Sequence, residues 1–134
     1  MIPPVDVDTK GRRLMANPFV HVELNTTHPD KAKAFYRELF TWTMDDMQMG
    51  PDTTYTMIQP GEGTGGGLRK QPMPGAPSAW LAYVDVEDVK ASTEKVRSLG
   101  GQVLKDVTEV PQMGWFSVIA DPTGAVLGLW QTAR

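Results

Sequence analysis

One pattern is written twice along this chain: a strand with one apolar and one polar face, a capped helix, then about three strands. The first copy runs over roughly 19–69 and the second over roughly 80–131. A unit of one helix and a few strands buries too little apolar surface to stand alone, so the two copies must share a core. Two such units, set side by side with their sheets curled toward each other, enclose a cleft. The expected fold is α+β, with paired βαβββ modules forming a curled sheet around that cleft. It occupies one domain over 18–132, after an irregular leader over 1–17 punctuated by Pro3, Pro4 and Gly11.

The pattern is explicit at residue level. In FVHVELN (19–25), Val20, Val22 and Leu24 fall on one face, and Phe19, His21, Glu23 and Asn25 on the other. Thr27 with Asp30 reads as an acidic capping box, and Pro29 suits a first helical turn. Ala32, Phe35, Tyr36, Leu39 and Phe40 then recur at helical spacing. Strands are expected over 42–48 and 53–59, around the turn Gly50-Pro51-Asp52. The segment 60–78, rich in Gly and Pro, reads as a connection with a short strand near 67–69. Its Gly65-Gly66-Gly67 reads as lid or linker, since a phosphate loop would need a following Lys-Ser/Thr and a helix. In the second copy, WLAYVDV places Leu81, Tyr83 and Asp85 on one face. Asp88 caps a helix over 89–99 that stops on Gly100-Gly101. A strand follows over 102–106, then a hairpin of strands over 115–120 and 125–131 around Asp121-Pro122-Thr123-Gly124.

Composition narrows the partners. With no cysteine there is no disulfide, no thiolate nucleophile and no Cys-type metal site. A net charge of -3, with both signs interspersed, offers no basic stripe for nucleic acid. No apolar run is long enough to span a bilayer, and the first residues carry no apolar stretch of signal-peptide length. A cytoplasmic protein that binds a small molecule, and a second copy of itself, is the expectation.

Three stretches carry a resemblance: HVELNTTHPDKAKAFYRELFTW, VDVEDVKASTEKVRSLGG and DPTGAVLGLW. Together they make the chain similar, over about 18–132, to the vicinal-oxygen-chelate superfamily (glyoxalase I, bleomycin- and fosfomycin-resistance proteins, methylmalonyl-CoA epimerase, extradiol dioxygenases). The resemblance implies paired βαβββ modules, commonly a homodimer, and a cleft lined by sheet faces. It also implies, for metal-dependent members, one ligand on each of four strands: His or Gln, Glu, His or Gln, and Glu. A divalent ion needs several such donors converging, with a position left open for substrate. Carried onto this chain, the first ligand position is His21, which matches. The position before the second helix is Leu81, and that on the last strand is Gly128; neither side chain can bind a metal. The remaining position falls within 55–58, where Thr56 is the nearest polar group. The metal site is therefore expected to be incomplete and no cofactor is expected, with Zn, Ni, Mn or Fe bound through His21 as the rival.

His21 and Glu23 lie two apart on one strand face, so a hydrogen bond between them, raising the basicity of the imidazole, is expected. With Tyr83 and Asp85 facing them across the cleft, these four are the candidate acid–base groups. Asn25 continues the polar row. Gly128 beside Trp130 reads as a stacking platform for a planar ligand, Met113 and Trp115 as its cover, and Leu81 and Thr56 as further ligand-facing residues. Met47, Met49 and Met57 suit a permissive apolar site, whereas Trp42 and Trp80 read as packing and His28 as an exposed turn residue. Three functions fit. The leading one is binding of a small planar or carbonyl-containing molecule without the usual four-ligand metal. The second is a metal-free lyase or isomerase using His21/Glu23 or Tyr83/Asp85. The third is a drug-sequestering binder.

Overall fold

The computed structural model describes residues 16–133. The elements are β1 (Phe19–Thr26), α1 (Pro29–Leu39), β2 (Thr43–Gln48), β3 (Thr54–Gln59), β4 (Gly66–Lys70), β5 (Ala79–Asp85), α2 (Val89–Ser98), β6 (Gln102–Val110), β7 (Gly114–Ala120) and β8 (Val126–Thr132). All eight strands form one mixed sheet in the order β2-β3-β4-β1-β5-β8-β7-β6. Each repeat supplies four neighbouring strands. Its first and last strands run parallel, β1 with β4 and β5 with β8, and antiparallel pairing of β1 with β5 joins the two repeats. The expected leader lies mostly outside the described residues; its last residue, Asn17, donates from its side chain to the Asp85 carbonyl.

Alternation along the strands assigns the two faces. Leu24, Ile58 and Leu68 form one core cluster, covered by Ala32 and Tyr36 of α1 and by Trp42. Val86, Val89, Ile119 and Leu129 form the other, under α2. A side chain as enclosed as Leu68, 1% exposed, contributes about 1.5–3 kcal/mol of transfer free energy. The face away from the helices is concave. Met47 near one end of the sheet and Val110 near the other line a single cavity. A flat sheet would hold its outer strands roughly 30 Å apart, at about 4.8 Å per spacing, so the sheet must curl.

Two local expectations need correction. Helix α1 has His28 as its N-cap and no side-chain cap: Thr27 lies one residue earlier, and its Oγ1 pairs with Ser78 Oγ in the β4–β5 connection at 3.3 Å. Gly66 and Gly67 are buried strand residues of β4 rather than part of a lid. Helix α2 is capped as expected, with Asp88 Oδ1 accepting from the Ala91 N–H at 3.0 Å. Among the described residues no helix is long and apolar enough to cross a membrane.

Candidate functional site

The centre of the concave face is a chain of four side chains. His21 and Glu23 project from β1, Tyr83 from the adjacent β5 opposite His21, and Tyr55 from β3. Tyr55 donates its phenolic proton to Glu23 Oε1 at 2.9 Å, and Tyr83 donates to Glu23 Oε2 at 3.2 Å. Tyr55 Oη also lies 2.6 Å from His21 Nε2. A phenol has one proton, and that of Tyr55 is committed to Glu23. His21 Nε2–H must therefore be the donor to Tyr55, which leaves Nδ1 as the lone pair of the ring. The expected direct contact between His21 and Glu23 is thus replaced by a bridging phenol.

The electrostatics follow from this enclosure. Burial pushes the His21 imidazole below its ordinary value, and the Glu23 charge only partly opposes it. The expected rise in basicity is therefore reversed. Burial and then the Glu23 charge push both phenols above their ordinary range. Near neutral pH the imidazole is neutral and both phenols keep the protons they donate to Glu23.

Two glycines make the arrangement possible. In β8, Gly128 pairs with Tyr83, and a Cβ built there would lie 2.5 Å from Tyr83 Cε2 and 2.8 Å from Cγ. In β4, Gly67 pairs with Glu23, and a Cβ there would overlap the Tyr55 hydroxyl. Glu23 and Tyr83 occupy the same place in the two repeats, so Gly67 is the counterpart of Gly128. The first-repeat position assigned to 55–58 therefore belongs to Gly67. Both glycines hold open the space that a tyrosine fills.

The cavity over this floor measures about 240 Å³. His21, Glu23, Tyr83, Met113 and Trp130 line it, as do Met47, Met49 and Met57. Several expected residues lie elsewhere. Thr56 is 1% exposed on the helix side of β3, where it donates to Asp46 Oδ1 at 2.6 Å. Trp115 packs against the α2 core, and its neighbour Phe116 reaches the cavity instead. Gly128 lies behind the Tyr83 ring. Leu81 and Asn25 share the face of Glu23, but neither lines the cavity. Asp85 also lies off the cavity, with a buried Oδ1 that has no hydrogen-bond partner among the described residues. The sequence reading missed Tyr55, Arg69 and Phe116. Alternation in TTYTMIQ carried the signal for Tyr55: Tyr55 and Met57 share one face, Thr56 and Ile58 the other. Among the described residues, no group of three or more His, Asp or Glu side chains is placed to hold a metal ion.

The comparisons with known proteins agree with this architecture. A family model described as the Glyoxalase/Bleomycin resistance protein/Dioxygenase superfamily matches residues 19–129. A Mycobacterium tuberculosis protein named putative glyoxylase CFP32 is 35% identical over 111 residues, covering 83% of this chain and 42% of that protein. The chain thus spans less than half the length of that relative. The anthracycline biosynthesis protein DnrV of Streptomyces peucetius is 35% identical over 57 residues, 42% of this chain and 21% of that protein. The solved methylmalonyl-CoA epimerase of Mycobacterium tuberculosis superposes with a TM-score of 0.65 at 15% identity, covering 87% of this chain and 88% of that one, a likeness of fold.

Proposed function

This chain belongs to the Glyoxalase/Bleomycin resistance protein/Dioxygenase superfamily, and we propose that it binds a small planar or carbonyl-containing molecule in its cleft without a four-ligand divalent metal. The observation that carries the reading is the replacement of donors by phenols. Gly67 and Gly128 offer no carboxylate, and the rings of Tyr55 and Tyr83 fill the space beside them. Leu81 offers no imidazole. Of the donors that remain, His21 Nε2 and both Glu23 oxygens are engaged by the two phenols. Zn, Ni, Mn or Fe would gain at most one imidazole nitrogen and one carboxylate here, fewer side-chain donors than such a site needs, so the residues present do not fit such an ion.

The volume of about 240 Å³ lies just below the usual range for ligand pockets, roughly 300–1,000 Å³, and suits a molecule of one or two rings. Trp130 and Phe116 offer aromatic surface, and the flexible methionines adapt to its outline. The decisive experiment is elemental analysis of protein purified without added metal, beside a calorimetric and thermal-shift screen of small aromatic and dicarbonyl compounds. The expected result is substoichiometric metal and a ligand-induced rise in Tm that a chelator leaves unchanged. Stoichiometric metal lost to the chelator together with the ligand response would overturn the reading.

A second reading rests on the His21 lone pair. A neutral imidazole with Nδ1 unprotonated, backed by Tyr55 and Glu23, is equipped to take a proton from carbon next to a carbonyl. A lyase or isomerase of this kind loses turnover in His21→Gln while still binding ligand. A sequestering binder leaves its ligand chemically unchanged in both proteins. The variant using Tyr83 with Asp85 has no such support, because Asp85 does not reach the cavity. The exposed Phe35, Leu39 and Phe40 near the end of α1 support a homodimer, which light scattering at known concentration checks.

A further inference from the structure

Arg69 enters the cavity from β4, two residues beyond Gly67 and on the same face, and is half-buried there. It is the cation among the residues lining an otherwise mostly apolar hollow. The carboxylate that lines the same cavity is Glu23, which accepts from Tyr55 at Oε1 and from Tyr83 at Oε2 and makes no ion pair with Arg69. Among the described residues, the ion pairs are those of Lys33 with Asp30 and Asp46, and no side-chain hydrogen bond uses the Arg69 guanidinium. The Arg69 charge does reach the floor of the site, where it opposes the upward push on both phenols.

A guanidinium presents five N–H donors in a flat fork, and a partly desolvated fork with no acceptor is costly to maintain. An acceptor supplied by the ligand removes that cost. The geometry that would use the fork best is a carboxylate, which accepts two parallel N–H bonds. The rest of the cavity is thioether and aromatic surface, which favours an apolar body of one or two rings.

We infer that Arg69 determines specificity by pairing with a carboxylate on the ligand, so that the cleft selects small aromatic carboxylic acids over their neutral counterparts. This inference rests on the cleft-binding reading above and deepens it. Arg69 anchors one end of the ligand, and the floor of Tyr55, Glu23 and His21 faces the remainder.

The test is calorimetric titration with 2-naphthoate and its neutral isostere 2-naphthamide. Wild-type protein is expected to bind naphthoate at least about tenfold more tightly, the effect of one charge-assisted fork. In Arg69→Met, naphthoate affinity falls to that of naphthamide, while naphthamide affinity stays as it was. In Arg69→Lys, which keeps the charge but loses the fork, an intermediate preference is expected. Should Arg69→Met fail to fold, the wild-type ratio and the lysine variant still decide the matter. Equal binding of the two probes by wild-type protein overturns the role of Arg69 and leaves the cleft reading standing. So does a preference that survives undiminished in the variants. Failure of both probes to bind wild-type protein overturns the cleft reading as well.

Discussion

Gly128→Ala adds one methyl group to a site that holds a tyrosine ring. The new Cβ would stand 2.5 Å from Tyr83 Cε2 and 2.8 Å from Cγ, so the ring must retreat by about 1 Å to reach ordinary contact near 3.6 Å. It has little room to do so. Tyr83 is 7% exposed, with Phe116 edge-on at 6.3 Å between centroids and His21 at 5.9 Å. Overpacking of this kind costs about 1–3 kcal/mol. Straining the Tyr83–Glu23 bond adds about 1 kcal/mol, and replacing glycine by alanine in a strand returns about 0.5–1 kcal/mol. The net expectation is a loss of about 1–3 kcal/mol, which lowers Tm by roughly 4–12 °C in a domain of this size. Thermal and urea unfolding followed by circular dichroism measure it. The double-mutant cycle with Tyr83→Leu isolates the cause: with the ring shortened, Gly128→Ala should fall within about 0.5 kcal/mol of neutral, or stabilise. If Gly128→Ala leaves the wild-type Tm unchanged, or costs as much without the ring as with it, the claim that Gly128 makes room for Tyr83 is wrong.

Other perturbations separate the remaining parts of the site and the frame. Tyr55→Phe strips the partner from both His21 Nε2 and Glu23 Oε1 and should cost about 1–3 kcal/mol in urea unfolding; a neutral result would mean that the bridge contributes nothing. The lowered His21 value gives a pH dependence of definite sign. Below its ordinary 6.5 the unfolded chain takes up a proton that the folded chain resists. His21 therefore supports stability above that value and loses it as pH falls toward the lower folded value. His21→Gln should flatten Tm against pH across that interval, and an unchanged slope would contradict the burial argument. The carboxylates Asp46 and Asp121 are also lowered, but from 3.8, so their effect falls at more acid pH and does not confuse the measurement. Asp88→Ala removes the cap of α2 and should cost about 1 kcal/mol, whereas Thr27→Ala at the start of α1 should cost less, both read by thermal unfolding.

The frame was legible because its signals are local. Asp88 caps α2 through a bond three residues away, and Gly100 at φ 87° ends the helix where the sequence puts the stop. The last hairpin turns on Asp121, whose Oδ1 accepts from the N–H groups of Thr123 and Ala125, with Gly124 at φ 95°. What was not legible depends on partners distant in the chain. Thr27 does not cap α1 because it falls one residue before the N-cap and its Oγ1 pairs with Ser78 Oγ, 51 residues on. Thr56 was favoured for its polarity when alternation alone gave the cavity to Tyr55 and Met57. The same lesson applies to the two glycines. A glycine at an expected ligand position reads, by itself, as a missing donor. Gly128 acquires its meaning from Tyr83 directly across the strand pair, and Gly67 from Tyr55, diagonal to it across β3 and β4, where Met57 is the direct partner. Cross-strand neighbours at these separations are within reach of an aromatic ring. The unit that explains each glycine is therefore a pair of positions on adjacent strands. A scan that examines ligand positions one at a time finds the vacancy and misses its occupant.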